Sequence, residues 1–149
     1  MKALVQRVSE ASVSTGGGVV GRIGRGLVIL VGIASGDTEK DINYLVPKIV
    51  NLRIFPDDEG RFNLSAVDIN GELLVVSQFT LLADTRKGRR PSFVEAAPPA
   101  EAEELFERFV EQARATGLKV ATGRFQQYMQ VEIHNDGPVT ILLDSREKF

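Results

Sequence analysis

The sequence has no cysteine, no tryptophan and a single histidine, His134, in 149 residues. Without cysteine there is no disulfide scaffold, no thiol nucleophile and no thiolate-bound zinc or iron–sulfur site. One imidazole excludes sites built on several histidines and leaves one candidate for any serine–histidine pair. No metal and no cofactor is expected. Gly21-x-x-Gly24-x-Gly26 lacks the dinucleotide spacing and leads into a strand rather than a helix. The longest apolar run, Leu27–Ala34, is far short of the ~18 residues of a membrane span. The opening Met1–Arg7 carries no signal-peptide core. An excess of one charge is missing too. Lys and Arg number 18 against 20 Asp and Glu, a net charge of −2, which argues against the broad basic face of a non-specific DNA binder. These absences predict a soluble, cytoplasmic chain with neither membrane nor DNA as partner.

What is present is ordinary for a globular chain: 43% hydrophobic and 26% charged residues, at a length that predicts one domain over 1–149. Ala3, Val5 and Arg7 would share one face of an opening strand, and Leu4, Gln6 and Val8 the other. Thr15–Gly18 reads as a turn, Val19–Ile23 as a return strand, and Leu27–Val31 as a strand buried on both faces. Ile42, Leu45, Val46, Ile49 and Val50 predict a helix capped by Asp37 or Thr38, with Pro47 inside it. Arg53-Ile54-Phe55 suggests a short strand before the turn Pro56–Gly60, and Asn70-Gly71 a hairpin. Glu72–Leu81 reads as a strand that turns polar halfway. Ala102, Leu105, Phe106, Phe109, Val110 and Ala113 predict a second helix after Pro98-Pro99, ending at Gly117. Met129–Ile133 and Val139–Leu143 read as two closing strands joined by the turn His134–Pro138. Strands, helix, strands, helix, strands make an α+β fold with two main helices on a mostly antiparallel sheet.

Three features could carry chemistry. Ser77, Gln78 and Thr80 could floor a pocket, with Gln78 and Thr80 on one strand face, or could mark a strand emerging from its core. No general base stands near Thr80 in sequence, and a lone His134 at a strand end is more often solvated than catalytic. Arg86, Lys87, Arg89 and Arg90 set four cations against the single carboxylate of Asp84. They suit phosphates, or form a solvated loop. Gly137-Pro138 ordinarily makes a trans turn.

Ser77-Gln78-Phe79-Thr80-Leu81 together with Asn135-Asp136-Gly137-Pro138-Val139-Thr140 resembles the D-aminoacyl-tRNA deacylase family. The likeness also takes in Gln6-Arg7-Val8, Ala11-Ser12-Val13, Arg53-Ile54-Phe55, Asn63-Leu64 and Arg90-Pro91-Ser92-Phe93. Before Met129 the chain departs from it, reading Phe125-Gln126-Gln127-Tyr128 where the family often has small residues.

The resemblance implies a barrel-like dimeric fold, a homodimer with active sites at its interface, and hydrolysis of the ester joining a D-amino acid to the terminal ribose of tRNA. It implies a cis Gly137–Pro138 pair that reaches the partner's pocket and rejects L side chains, braced by Arg7, with Met129, Asn135 and Asp136 lining the pocket. It implies RNA-assisted catalysis, in which the ribose 2′-hydroxyl helps activate water while the N–H groups of Phe79 and Thr80 hold the oxyanion. Ser77 and Gln78 belong to the same catalytic segment. Thr80 resembles a residue once cast as nucleophile; lacking an activating partner, it is assigned a positioning role. Glycyl-tRNA, with no side chain to clash, is a further expected substrate. A non-catalytic RNA-binding module built on the Arg86–Arg90 loop, or a structural dimer without ligand, are the alternatives.

Overall fold

The computed structural model describes residues 1–147. Strand β1 (Lys2–Thr15) turns at Gly16-Gly17 into β2 (Gly18–Ile23), and β3 (Gly26–Gly32) continues the same return path. β1 therefore pairs antiparallel with β2 along its second half and with β3 along its first. Alternation along β1 puts Ala3, Val5 and Arg7 on one face, as its sequence pattern predicts, and all three are buried there.

Helix α1 (Glu39–Val50) begins at Thr38, whose hydroxyl accepts from the Lys40 N–H while the Asp41 carboxylate accepts from the Thr38 N–H. That reciprocal pair satisfies two orphan donors of the first turn. Pro47 removes one intrahelical donor, yet the helix runs to Val50 because its apolar face is fully committed to the core. Helix α2 (Pro99–Ala115) opens with a proline in its first turn and buries Phe106, Phe109, Val110 and Ala113.

The two helices decide the strand directions that follow. β6 (Glu72–Ser77) comes after the α1 crossover and lies parallel to β3; β7 (Val120–Thr122) comes after α2 and lies parallel to β6. Parallel neighbours require such crossovers. The remaining pairings are antiparallel, including β4 (Phe55–Pro56) with β5 (Phe62–Leu64) and β1 with the long last strand β8 (Gln130–Asp144). Both helices cover one face of the main sheet, packing on Ala3, Val5, Leu27, Ile29, Leu73 and Val75. The other face curls over a second cluster in which Val8, Val13, Val28, Leu74 and Val76 meet Val20, Ala121 and Met129. The result is an α+β fold with two helices and a nearly closed, barrel-like sheet.

Four local expectations fail for nameable reasons. Asn70-Gly71 is no hairpin: Asn70 takes φ +51 at the end of a turn, and the strand it introduces pairs parallel with β3. The short strand near Arg53 comprises Phe55–Pro56, because the Asn63-Leu64 segment pairs there. The strand from Glu72 stops at Ser77, where its partner β3 runs out. The two closing strands are one: β1 is long enough to pair with both halves, with residues 136–139 leaving the ladder and a smaller register shift at His134.

Candidate active site

The segment Ser77–Leu81 changes structure in the middle. Gln78 N–H donates to Val31 O at 2.7 Å, the last rung beside β3, and Phe79–Leu82 then winds into a short 3-10 helix. Gln78 and Thr80 consequently do not share a strand face. The turn packs close because Gly32 faces it: a Cβ there would stand 2.6 Å from the Leu82 side chain and 3.0 Å from Gln78 O. Leu81 N–H returns to Gln78 O and Ala83 N–H to Thr80 O. The N–H groups of Phe79 and Thr80, first in the turn, have no intrahelical carbonyl behind them and bond to no backbone acceptor among the described residues. Both residues are exposed. Gln78 Nε2 donates to Thr80 Oγ1, so the carboxamide and the hydroxyl orient each other.

No side chain in a position to deprotonate Thr80 contacts it among the described residues. His134 sits instead beside Glu10, with Nδ1 3.5 Å from the carboxylate. The grouping is a surface pair on β1 and β8, as expected of a solvated histidine.

Beyond the 3-10 turn, Asp84 and Ser92 exchange two backbone hydrogen bonds of 2.8 and 2.9 Å and close the loop between them. The Phe79 ring meets Phe93 edge to face, centroids 5.0 Å apart, which ties the base of that loop to the Ser77–Thr80 segment. Of the four cations in the loop, Arg86 is already engaged. Its guanidinium donates to both Asp84 oxygens at 2.9 and 2.8 Å. Those hydrogen bonds hold the Asp84 carboxyl at about 2, below the usual carboxylate range. Lys87, Arg89 and Arg90 have no ion-pair partner among the described residues.

The second motif stands elsewhere. In the β1–β8 ladder Val8 pairs with Asn135 and Gln6 with Thr140, so four residues of β8, Asp136–Val139, lie opposite Arg7 alone. They form an exposed turn with a cis Gly137–Pro138 bond, the geometry that the resemblance implies. Arg7 is 8% exposed. Its Nε–H donates to Asp136 O at 2.9 Å and its Nη1 to Ile54 O at 2.8 Å, and its guanidinium lies 5.5 Å from the Phe62 ring centroid. Gly137 has φ +134, and a Cβ there would stand 2.8 Å from Val139 Cγ2 and 3.1 Å from Arg7 Nη2. Only glycine fits. Sequence reading identified Arg7 but missed Ile54 and Phe62, since nothing local marks a carbonyl or a ring as an arginine's partner.

Within one chain the two motifs remain apart. Arg7 pairs with Leu27 and Leu27 with Leu73, while Ser77 lies four residues further along β6. At ~4.8 Å per strand and ~3.3 Å per residue, the turn on β8 is about 14 Å across the sheet and about 13 Å along it from Ser77. Met129 joins the Ser77 side. Its sulfur accepts from the Arg124 N–H at 3.3 Å, just past Thr122, which pairs with Val75 of β6. Asn135 and Asp136 stay with Arg7.

Residues 4–144 match the family described as "D-Tyr-tRNA(Tyr) deacylase". A "D-aminoacyl-tRNA deacylase" of Dehalococcoides mccartyi is 64% identical over 149 residues, covering 100% of this chain and 97% of that protein. A solved structure titled "c-Myc DNA Unwinding Element Binding Protein" superposes with a TM-score of 0.91 at 47% identity, over 97% of this chain and 98% of the other. Another, titled as a probable eukaryotic D-amino acid tRNA deacylase, shares the fold at a TM-score of 0.83 and 18% identity, over 95% of this chain and 97% of that one.

Proposed function

The chain belongs to the D-Tyr-tRNA(Tyr) deacylase family, hydrolases of the aminoacyl-tRNA ester bond, and from that premise we propose that it frees D-amino acids from tRNA by an RNA-assisted mechanism in a homodimer. The observation that carries the mechanism is the pair of N–H groups at Phe79 and Thr80, unengaged among the described residues, beside a hydroxyl that meets no base among them. Water attacks the ester carbonyl, and negative charge gathers on its oxygen against those two N–H groups. The bond to the ribose oxygen breaks, that oxygen takes up a proton, and the D-amino acid leaves as its carboxylate. The terminal ribose 2′-hydroxyl supplies the orientation of water that the protein side chains lack. Ser77 and Gln78 hold the ribose end, and Thr80 positions through its hydrogen bond with Gln78.

The Gly137–Pro138 turn is the chiral filter. It protrudes from its own chain, about 14 Å across and 13 Å along the sheet from Ser77, so it serves the pocket of a second copy. The half-exposed apolar row Leu142, Leu4 and Leu30, on the sheet face away from the helices, suits that copy as interface. Rejection is steric: backbone at the turn leaves no room for an L side chain, and glycine, having none, passes. Glycyl-tRNA is therefore also hydrolysed. Lys87, Arg89 and Arg90 meet tRNA phosphates.

A non-catalytic nucleic-acid-binding module is the second reading, favoured by those three cations and by the DNA-binding title of the 47%-identical structure. Matched D- and L-tyrosyl-tRNA, incubated with the protein and followed for ester loss and for tRNA binding, separate the two. Rapid loss from the D ester alone is expected. Binding without ester loss would establish the module instead.

A further inference from the structure

We propose that Asn135 is a positioning residue for the Gly137–Pro138 turn, setting its pose through a clip that closes on Thr140 and Gln6. The inference rests on the reading of that turn as the chiral filter, and assigns Asn135 a task other than lining the pocket. Asn135 Oδ1 accepts from the Val139 N–H at 3.0 Å, and its Nδ2 donates to Thr140 Oγ1 at 3.0 Å. Gln6 Nε2, on the neighbouring strand, donates to the same Thr140 oxygen at 3.2 Å. One carboxamide thus grips the far end of the four-residue excursion twice, from the residue that precedes it.

The grip requires both halves of the amide. The Val139 N–H points at the clip because Val139 has left the ladder and has no carbonyl of β1 opposite it. The acceptor must therefore be Oδ1, which turns Nδ2 toward Thr140. Thr140 is the first residue back in register, paired with Gln6, so the clip refers the turn to the rigid strand β1. Arg7 holds the opposite side of the turn at Asp136 O. With the two ends fixed independently, the Gly137 and Pro138 backbone between them has one pose.

The substitutions divide the functions of the clip. Asn135→Ala removes both contacts, Asn135→Asp keeps the acceptor for Val139 and loses the donor, and Thr140→Val removes the hub at nearly constant shape. Steady-state kcat and KM are measured for each on D- and L-tyrosyl-tRNA, with tRNA affinity and Tm alongside. We expect Asn135→Ala to lower the D-over-L ratio of kcat/KM at least tenfold at unchanged tRNA affinity. Asn135→Asp should recover most of that ratio, and Thr140→Val should fall between. A proportional fall on both esters, or a lowered Tm with the ratio intact in all three variants, would overturn the inference. Should Asn135→Ala fail to fold, the ratios of Asn135→Asp and Thr140→Val decide alone, with unchanged ratios in both counting against it. A wild-type protein that spares the D ester would instead refute the proposed function, and the two failures stay distinct.

Discussion

Arg7 and Asp136 lie 129 positions apart in the chain, yet the Arg7 Nε–H donates to the Asp136 carbonyl at 2.9 Å. The same guanidinium reaches Ile54 O on its other side, so one buried side chain fastens the β8 turn to the segment leading into β4. A hydrogen bond to a charged group contributes about 1.5–3 kcal/mol, and its loss leaves the partner carbonyl unsatisfied. Arg7→Ala should therefore destabilise the fold by at least that amount, roughly 2–4 °C of Tm per kcal/mol for a chain of this size. It should also reduce the D-over-L preference. Arg7→Lys cannot form both bonds from one fork and should recover little. Thermal denaturation and paired ester assays check both effects; an unchanged Tm and preference would contradict them.

The bracing contact of Arg7 with the turn was readable only from the family likeness, because an arginine in a strand signals nothing about its partners. Elements whose cause is local were legible: the α2 stripe from Ala102 to Ala113, the aliphatic β3, the cap at Thr38. Those whose cause is a neighbour were not. Ser77 ends its strand because β3 ends, and Asn70-Gly71 fails as a hairpin because the α1 crossover sends β6 parallel. The site follows the same division. Its motifs stand out as strings, while the 3-10 turn that frees the Phe79 and Thr80 N–H groups depends on the close approach of Gly32.

The three unpaired cations should carry the phosphate contacts. Lys87→Ala, Arg89→Ala and Arg90→Ala combined are expected to weaken tRNA binding and flatten its salt dependence, by roughly 0.7–0.9 in the log–log slope per lost contact. Arg86→Ala alone should change the slope less, since Arg86 is committed to Asp84. Binding isotherms across a salt series test this. Equal slopes for the wild type and the triple variant would mean that the loop is merely solvated.

Thr80→Ala should keep measurable hydrolysis of D-tyrosyl-tRNA. Losing a positioning contact costs up to about 10²-fold, whereas losing a nucleophile costs about 10⁶-fold. Single-turnover kinetics separate these ranges. A trapped acyl ester on Thr80 in the wild type would overturn the assignment.

The Asp84–Arg86 pair fixes a pH window. The folded carboxyl titrates at about 2, below its ordinary value of 3.8. A depressed carboxylate contributes stability that is fully present above the unfolded value and is lost as pH falls through the folded one. The pair should thus stay intact from pH 5 to 8 and open only in strong acid. Carbon-detected NMR of the Asp84 carboxyl should give a midpoint near 2, moving up toward 3.8 in Arg86→Ala. A wild-type midpoint at 3.8 would show the pair to be absent in solution.

The pairing of β1 with β8 resumes on both sides of the four-residue excursion, at Val8–Asn135 and at Gln6–Thr140. Mechanically this makes the turn a detachable module, held by strand pairing on either side of it. Its length and residues can change without reassigning which side chains of β8 face the core, since alternation is reset at Thr140 whatever happens before it. A lineage could thus remodel this exposed turn while inheriting the strands on either side of it, and an engineer could graft altered turns between Asn135 and Thr140 on the same terms.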